Sequence, residues 1–207
     1  MIFYNRAESI FRALAETFPD AKAALEAGKS FNPGVSEYQA MALFILAKRY
    51  NHVGANILEF GTAIGYSASM MAQGAPLAKI VTLDPAQAKA ELARKNLRSW
   101  PNVEVIVMRS VDYFAQTPEQ NTLDMIFVDG DHNNIALDLP WFNRLVVGGL
   151  LLCHDYTPAG LGKKSLPVIY AELNRMAERL GRPFDVCIVD DTTYGMAGFY
   201  RREGETV

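Results

Sequence analysis

A short apolar run followed by a glycine-containing turn dominates the sequence. Residues 57–60 read Ile-Leu-Glu-Phe, the turn from Gly61 to Gly65 follows, and a helical pattern begins at Tyr66. A strand, a tight turn and a helix in this order are typical of the first β-α unit of an open α/β sheet, where such folds bind nucleotides. The stretch therefore predicts an α/β fold with a ligand at this turn.

The spacing of the glycines indicates which kind of ligand the turn binds. A dinucleotide fingerprint needs G-x-G-x-x-G, but Ala63 holds the middle glycine position, and the chain has no G-x-x-x-x-G-K-[ST] motif. The remaining pattern is E-x-G-x-x-x-G, in which Gly61 permits the turn and Gly65 permits a close approach. The carboxylate of Glu59 would repel a pyrophosphate and favour a ligand with an amino group. An ordinary strand–helix turn is the simpler alternative.

Apolar runs alternate with helical patterns after this turn. The runs are continuously apolar, which predicts parallel strands covered on both faces, at residues 57–60, 79–84, 103–108, 123–129 and 150–155. Helices are expected near 66–73, 86–98, 111–116, 134–146 and 166–180. Pro140 should bend or shorten the fourth of these helices. Two further strands at 184–190 and 195–201 are so close in sequence that they predict an antiparallel hairpin.

The first 52 residues read as helices that precede the sheet. Residues 2–18 have an amphipathic helical pattern, a short helical piece ends at Gly28, and a capping box from Ser36 to Gln39 begins a helix that runs to about Asn51. These helices either cover the ligand edge of the sheet or simply pack on one face. We expect a single domain over 1–207, with a helical cover at 1–52 and a ligand-binding core at 53–207.

Composition restricts the class of protein. Half of the 207 residues are hydrophobic and the formal net charge is −3, so no basic excess favours nucleic acid or a membrane surface. No apolar run approaches the ~20 residues of a transmembrane helix, and residues 1–19 lack the apolar core of a secretory signal. Cys153 and Cys187 fall in expected central strands, which favours buried free thiols and a reducing compartment. The sequence predicts a cytoplasmic protein without nucleic-acid or membrane partners.

Ionisable residues lie at the ends of most expected strands. They are Glu59 in the first strand, Asp84 after the second, Asp129 after the fourth, and the pair His154–Asp155 after the fifth. Parallel strands end at the same edge, where open α/β sheets bind ligands. Carboxylates grouped in one crevice repel each other unless a cation, a metal or hydroxyl donors satisfy them. We therefore expect the binding site at this edge, although any one of these acids could instead cap a helix.

The segment from Glu59 to Ser67 resembles motif I of the class I S-adenosylmethionine-dependent methyltransferases, and its Gly-Tyr-Ser ending is similar to the catechol O-methyltransferase branch and its bacterial small-molecule relatives. Residues 122–132 and 148–155 resemble the L-D-x-x-F-x-D, V-D-G-x-H and G-G-x-x-x-x-x-D strands of these proteins. The resemblance covers roughly residues 36–201. It implies a Rossmann-like, mostly parallel seven-stranded sheet with a C-terminal antiparallel hairpin, helices on both faces and extra N-terminal helices.

The resemblance also implies which residues bind S-adenosylmethionine, whose sulfonium and ammonium agree with an acid below the loop. Asp84 matches the motif II acid that binds the ribose, and Ser110 and Val111 match positions that face the adenine ring. Val111 replaces a polar amide, so we expect an apolar contact there. The implied cofactor-binding residues are Glu59, Gly61, Thr62, Gly65, Ser67, Asp84, Ser110, Val111 and Asp129.

Asp129, His154 and Asp155 match the metal ligands of the metal-using relatives. His154 replaces an acid, and Mg²⁺ prefers oxygen ligands whereas Mn²⁺ tolerates imidazole. Mg²⁺, Mn²⁺ and a site without metal therefore all stay open. His132 matches the general base of both related branches, and imidazole suits proton transfer near neutral pH. A loop histidine bonded to its neighbours is the alternative for His132.

Together these patterns predict an enzyme that transfers a methyl group from S-adenosylmethionine to a hydroxyl of a small-molecule acceptor, with His132 as general base and with or without a divalent metal. Two other functions stay open. One is a dinucleotide-dependent oxidoreductase on a similar fold, and the other is a non-catalytic S-adenosylmethionine-binding protein. The sequence identifies neither the acceptor nor the oligomeric state, so a homo-oligomer stays open as well.

Overall fold

The computed structural model describes residues 2–5, 15–28, 34–117, 122–160, 165–190 and 194–207. Within these ranges the chain forms one eight-stranded sheet with an apolar core on each face. The strands are β1 (Ile2–Asn5), β2 (Asn56–Phe60), β3 (Lys79–Leu83), β4 (Val103–Ile106), β5 (Leu123–Val128), β6 (Leu145–His154), β7 (Val186–Asp190) and β8 (Met196–Tyr200). The helices are α1 (Pro19–Gly28), α2 (Glu37–Lys48), α3 (Tyr66–Gly74), α4 (Gln87–Asn96), α5 (Ser110–Gln116) and α6 (Pro167–Leu180).

The strands lie in the order β1-β7-β8-β6-β5-β2-β3-β4. All neighbouring pairs are parallel except those of β8, which runs antiparallel to both β6 and β7. The order reverses between β2 and β5, because the chain proceeds outward from β2 to β4 and then returns to β5 on the other side. Ligands of open α/β sheets bind at such a switch point, outside the carboxyl ends of the strands.

The structure confirms the predicted fold class, a mostly parallel Rossmann-like sheet with the antiparallel hairpin of β7 and β8, but the sheet has eight strands where seven were expected. The expectation of a helix over residues 2–18 is wrong for its first part, since residues 2–5 form β1, parallel to β7. Ile, Phe and Tyr at positions 2–4 favour a strand, and β1 pairs with an edge of β7 that would otherwise be open. Residues 15–17 are helical, and residues 6–14 lie outside the described part of the chain.

The prediction of a helix over residues 134–146 is also wrong. Two 3-10 segments, Ile135–Leu137 and Leu139–Arg144, occupy its place, and β6 already begins at Leu145. Pro140 lacks an amide hydrogen and its ring clashes with the preceding turn of an α-helix, so a continuous helix is disfavoured. Gly148 and Gly149 lie inside β6.

Helix α2 belongs to the core and is not a peripheral cover. Its capping box forms as predicted: the Ser36 side chain accepts a hydrogen bond from the Gln39 amide, and the Gln39 side chain accepts one from the Ser36 amide. Met41 and Leu43 are completely buried in the core that also contains Ile57 of β2. Both cysteines are buried free thiols. None of the helices in the described ranges is both long enough and apolar enough to cross a membrane.

Two positions in the turn after β2 require glycine, because a backbone atom lies close to one of them and a side chain lies close to the other. Gly61 has φ +95°, and a Cβ atom there would lie 2.1 Å from the carbonyl oxygen of Asp129. Gly65 has φ +90°, and its Cβ would lie 2.8 Å from the Leu97 side chain. The sequence suggested that Gly65 leaves room for a ligand, but the adjacent space is filled by Leu97. Both left-handed backbone conformations favour glycine.

Glu59 holds the same turn from below. Its carboxylate is completely buried, and its oxygens accept hydrogen bonds from the hydroxyls of Ser67 and Thr82, the latter at 2.6 Å. The Thr82 hydroxyl in turn accepts from Thr62, with 2.6 Å between the two oxygens. Burial raises the pKa of Glu59 to about 7, against the hydrogen bonds that lower it, and the charge of Asp129 raises it further. This network connects β2, β3 and the start of α3.

We expect Gly61→Ala to destabilise the fold more than Gly54→Ala. Gly54 has a similar φ of +89°, but no neighbouring atom lies within 4 Å of the place that a Cβ atom would occupy. Its substitution therefore reports the left-handed backbone strain alone, about 1–2 kcal/mol. The alanine at 61 would add the displacement of the Asp129 backbone, typically about 1–3 kcal/mol for overpacking. Urea unfolding measures both losses, and equal losses would contradict the close approach.

We expect Glu59→Gln to alter how stability depends on pH. The pKa of Glu59 is raised from 4.5 to about 7 on folding, so the folded wild type binds more protons than the unfolded chain in this window and loses stability as pH rises through it. The glutamine variant lacks this loss. The difference between its free energy of unfolding and that of the wild type should therefore grow by about 1.4 kcal/mol per pH unit between pH 4.5 and about 7. Denaturant titrations at several pH values measure the difference. Glu203→Gln, at an exposed carboxylate, is the control, and a pH-independent difference for Glu59 would refute the argument.

Candidate functional site

A cleft of about 730 Å³ opens at the carboxyl edge of the sheet, at the switch point between β2 and β5. It lies between the turn after β2, the loop after β3, the start of α5 and the ends of β5 and β6. Eight of the residues predicted from the sequence line this cleft: Gly61, Asp84, Ser110, Val111, Asp129, His132, His154 and Asp155. Residues from several different loops therefore meet in one site, as the common edge of parallel strands requires.

The other four predicted residues, Glu59, Thr62, Gly65 and Ser67, do not line the cleft. Glu59 and Thr62 are 0% and 1% exposed, and the hydrogen bonds of the buried carboxylate are made within the protein. The sequence placed the charge of Glu59 below the loop, and in the structure the carboxylate lies beneath the turn and accepts hydrogen bonds from two hydroxyls of the protein. Glu59, Thr62 and Ser67 belong to the hydrogen-bond network beneath the turn, and Gly65 belongs to the turn itself.

Asp84 connects the turn after β2 to the start of α4. One carboxylate oxygen accepts a hydrogen bond from the Ala63 amide at 3.0 Å, and the other accepts one from the Ala86 amide at 2.9 Å. The side chain is 5% exposed and lines the cleft. A carboxylate oxygen has more than one lone pair, so both oxygens can still accept hydrogen bonds from ligand hydroxyls.

Asp129, His154 and Asp155 form a compact group in which one ligand atom of each residue lies within 4.8 Å of the others. The Nδ1 atom of His154 lies 3.2 Å from Oδ1 of Asp129 and 3.1 Å from Oδ1 of Asp155, but it makes a well-aligned hydrogen bond with neither. Burial lowers the pKa of His154, but the two carboxylates outweigh burial and raise it above its usual value. The Asp155 pKa is lowered, because the imidazoles outweigh its burial. The group therefore favours a positive charge between its members.

His132 lies on the other side of Asp155. Its Nδ1 atom is 3.0 Å from Oδ2 of Asp155, whereas His154 lies near Oδ1, so Asp155 contacts one imidazole with each oxygen. The side chain of His132 is 42% exposed. A histidine that donates through Nδ1 to a carboxylate keeps Nε2 as the acceptor nitrogen. The buried His154 and the exposed His132 therefore differ in role: one is enclosed among carboxylates, and the other is open to the cleft.

Backbone strain is concentrated in the same cleft. Among the described residues, those other than glycine with positive φ are Ala63 at 45° and Asp155 at 62°. Both line the cleft. A left-handed conformation costs a side-chain-bearing residue roughly 1–2 kcal/mol, and such residues cluster at functional sites. The strain thus marks the same edge as the ionisable residues.

Other lining residues were not predicted from the sequence. Asp138 is 3% exposed, burial raises its pKa to about 6 against a hydrogen bond from Ser110, and its Oδ1 atom has no hydrogen-bond partner among the described residues. The sequence pattern placed it in a helix that does not form. Asp131 belongs to the V-D-G-x-H segment, and its position beside Asp129 could have indicated it. Lys89 and Arg109 add positive charges at the rim.

Comparison with known proteins shows a similarity to methyltransferases. Residues 58–156, which contain most of the cleft, match the sequence model of a family described as Methyltransferase domain. A catechol O-methyltransferase of Mycobacterium tuberculosis is 32% identical over 146 residues, which make up 69% of this chain and 65% of that protein. The chain thus spans slightly less than two thirds of the length of this curated relative.

Solved structures share the fold over nearly the whole chain. The cofactor-bound Rv0187 from MTB has a TM-score of 0.66 at 25% identity and matches 89% of this chain and 91% of its own. The O-methyltransferase from Bacillus cereus, solved in complex with SAH, has a TM-score of 0.63 at 20% identity and matches 93% and 97%. The chain therefore shares the fold of the class I S-adenosylmethionine-dependent methyltransferases, and over residues 58–156 its sequence is similar to a methyltransferase domain.

Proposed function

We propose that this protein transfers the methyl group of S-adenosylmethionine to a hydroxyl of a small-molecule acceptor. The observation that carries the proposal is that one cleft contains both a turn and acid suited to the methyl donor and a group of acids and histidines suited to the acceptor. Asp84 and Gly61 line the first part, and Asp129, His132 and Asp155 line the second. The matched methyltransferase model spans both parts.

The donor would lie along the ends of β2 and β3. Asp84 would accept hydrogen bonds from the ribose hydroxyls, while its existing bonds to two backbone amides fix its orientation. Ser110 and Val111 at the start of α5 would face the adenine. The donor carries a sulfonium and an ammonium, so the acids of this cleft favour it over an anionic pyrophosphate. The SAH complex of the Bacillus cereus protein supports this class of ligand.

His132 would act as the general base. The Nδ1 atom of His132 lies beside the Asp155 carboxylate, so a hydrogen on Nδ1 would leave Nε2 to accept the acceptor's hydroxyl proton. As the oxygen attacks the methyl carbon, the new O–C bond forms while the S–C bond breaks, and the electron pair of the broken bond stays on sulfur. The imidazolium that forms on His132 is stabilised by Asp155. Positioning of the two reactants in line would supply much of the remaining rate enhancement.

The donor set of Asp129, His154 and Asp155 fits a divalent cation. It offers two carboxylates and one imidazole, and His154 Nδ1 is a buried nitrogen without an aligned hydrogen-bond partner. This combination suits Mn²⁺, Fe²⁺ or Zn²⁺ better than Mg²⁺. A bound cation would orient the acceptor oxygen and make its hydroxyl more acidic. The same space also admits a proton on Nδ1, which would balance the carboxylates without a metal.

Two other functions predict different binding behaviour. A dinucleotide-dependent oxidoreductase should bind NAD(P)H, but Ala63 occupies the middle glycine position and its amide is engaged by Asp84. A non-catalytic protein should bind S-adenosylhomocysteine without turnover of any labelled methyl donor. We favour the enzyme because Asp129, His132 and Asp155 lie together in the cleft.

The buried free thiols fit a reducing compartment, so we place the reaction in the cytoplasm. The acceptor in this proposal is a small molecule, and neither nucleic acid nor a membrane takes part.

Asp84→Ala should weaken binding of S-adenosylhomocysteine roughly tenfold or more. Each lost hydrogen bond to a charged group costs about 1.5–3 kcal/mol, and 1.4 kcal/mol corresponds to a factor of ten. Asp124→Asn is a matched control, because Asp124 also accepts a backbone hydrogen bond, from Asn56 at 2.8 Å, but lies at the opposite edge of the sheet. Calorimetry measures the affinities. Equal affinity of the Asp84 variant and the wild type would place the ribose elsewhere.

Chelation should lower activity if Asp129, His154 and Asp155 bind a metal, and Mn²⁺ should restore activity better than Mg²⁺. His154→Glu should shift the preference toward Mg²⁺, because it supplies a further oxygen ligand. Activity assays with EDTA-treated protein and added cations measure both effects. Full activity after chelation, with no metal found by elemental analysis, would rule out metal assistance and favour the protonated imidazole.

His132→Ala should lower kcat by about 10²–10⁴ while leaving the affinity for S-adenosylhomocysteine nearly unchanged. The reason is that the base contacts the acceptor, whereas the donor is bound by the ends of β2 and β3. His52→Ala is the control, because His52 has a 58% exposed side chain near the opposite edge of the sheet. Steady-state kinetics and calorimetry separate the two quantities. Wild-type kcat in the His132 variant would make this residue a bystander.

A further inference from the structure

Gln39 connects the first turn of α2 to the imidazole of His154. Its Oε1 atom accepts a hydrogen bond from the Ser36 amide at 2.9 Å and lies 3.2 Å from Nε2 of His154. Its Nε2 atom donates to the carbonyl oxygen of Tyr194. The side chain is completely buried. A helix cap and a residue of the candidate metal group therefore share one amide.

The partners of Gln39 determine the orientation of its amide. The Ser36 backbone amide can only donate and the Tyr194 carbonyl can only accept, so the oxygen of Gln39 must face Ser36 and its nitrogen must face Tyr194. The same oxygen faces His154, and its second lone pair can accept only from a protonated Nε2. The hydrogen of the neutral imidazole is thereby assigned to Nε2.

This assignment determines what Nδ1 of His154 offers to its neighbours. In the neutral imidazole with hydrogen on Nε2, Nδ1 carries a lone pair. That lone pair is close to oxygens of Asp129 and Asp155, at 3.2 and 3.1 Å, and these oxygens are also electron-rich. Three such atoms around one space repel each other unless a proton on Nδ1 or a metal cation lies between them. A histidine that ligates a metal usually donates its other ring N–H to a carbonyl, carboxylate or water, and Gln39 provides an oxygen of this kind.

We propose that Gln39 is a positioning residue that selects the Nδ1 atom of His154 as the ligand for a divalent cation of the Mn²⁺, Fe²⁺ or Zn²⁺ class. The inference rests on the metal-assisted form of the function proposed above. It explains why glutamine suits this position. Glutamate would also complete a capping box with Ser36, but it could not donate to the Tyr194 carbonyl.

The test is Mn²⁺ binding to the full chain, followed by electron paramagnetic resonance without any acceptor. Gln39→Met keeps the size of the side chain but removes the acceptor, so it should weaken Mn²⁺ binding about 10–100-fold. It should also reduce the nitrogen coupling of bound Mn²⁺, which reports the imidazole ligand. Gln39→Glu keeps an acceptor oxygen for His154 but loses the bond to Tyr194, so it should retain Mn²⁺ affinity and the nitrogen coupling.

Ser36→Ala is the matched control for the helix cap. It removes the hydroxyl that accepts from the Gln39 amide at 3.2 Å and donates to the Asp190 carboxylate, but it leaves the contact of Gln39 with His154 in place. We expect it to lower the melting temperature and to leave Mn²⁺ affinity unchanged. S-Adenosylhomocysteine binding should be unchanged in all three variants and shows that each variant is folded.

Three results would overturn the inference. The first is wild-type Mn²⁺ affinity and nitrogen coupling in Gln39→Met. The second is an equal loss of affinity in Gln39→Met and Gln39→Glu, which would indicate a structural role through Tyr194. The third is that the wild type binds S-adenosylhomocysteine and catalyses methyl transfer but binds no Mn²⁺. This result would contradict the metal inference and leave the proposed methyl transfer intact. Failure of the proposed function differs from all three, because the wild type would then bind Mn²⁺ but not S-adenosylhomocysteine.

Discussion

The backbone of the turn after β2 lies directly against the backbone that follows β5, and the geometry of the site depends on this contact. Only a residue without a Cβ atom fits there, since such an atom at Gly61 would lie 2.1 Å from the Asp129 carbonyl oxygen. The contact places this turn beside Asp129 in the cleft that also contains Asp155. The buried carboxylate of Glu59 connects the same turn to β3, so three neighbouring strands determine its position.

The second constraint is the balance of charge around Asp155. Its two oxygens contact two imidazoles that differ in surroundings, a buried one held by Gln39 and a half-exposed one that faces the cleft. The strained backbone at Asp155, with φ +62°, is consistent with a residue whose position is set by function. In the proposed reaction the group around the buried imidazole would orient the acceptor oxygen and the exposed imidazole would remove its proton, and both would depend on one carboxylate.

Local sequence patterns predicted the parts of the site that follow directly from strand order. Asp84, Asp129 and the pair His154–Asp155 each end an apolar run, and parallel strands bring such ends to one edge. The patterns placed the Glu59 carboxylate below the loop but could not show its partner Thr82, because that residue comes from another strand. They identified Gln39 as a helix cap but not as a neighbour of His154, since that contact joins residues far apart in the chain. The strand at residues 2–5 was also missed, because it forms through pairing with β7.

The most direct test of the shared cleft is a crystal structure with S-adenosylhomocysteine and Mn²⁺, with anomalous data collected for manganese. We expect ribose hydroxyls at Asp84, the ligand sulfur facing His132, and an anomalous peak bounded by Asp129, Asp155 and Nδ1 of His154. A ligand bound away from Asp84, or with its sulfur turned from the acidic group, would contradict the central claim that one cleft holds both reactants.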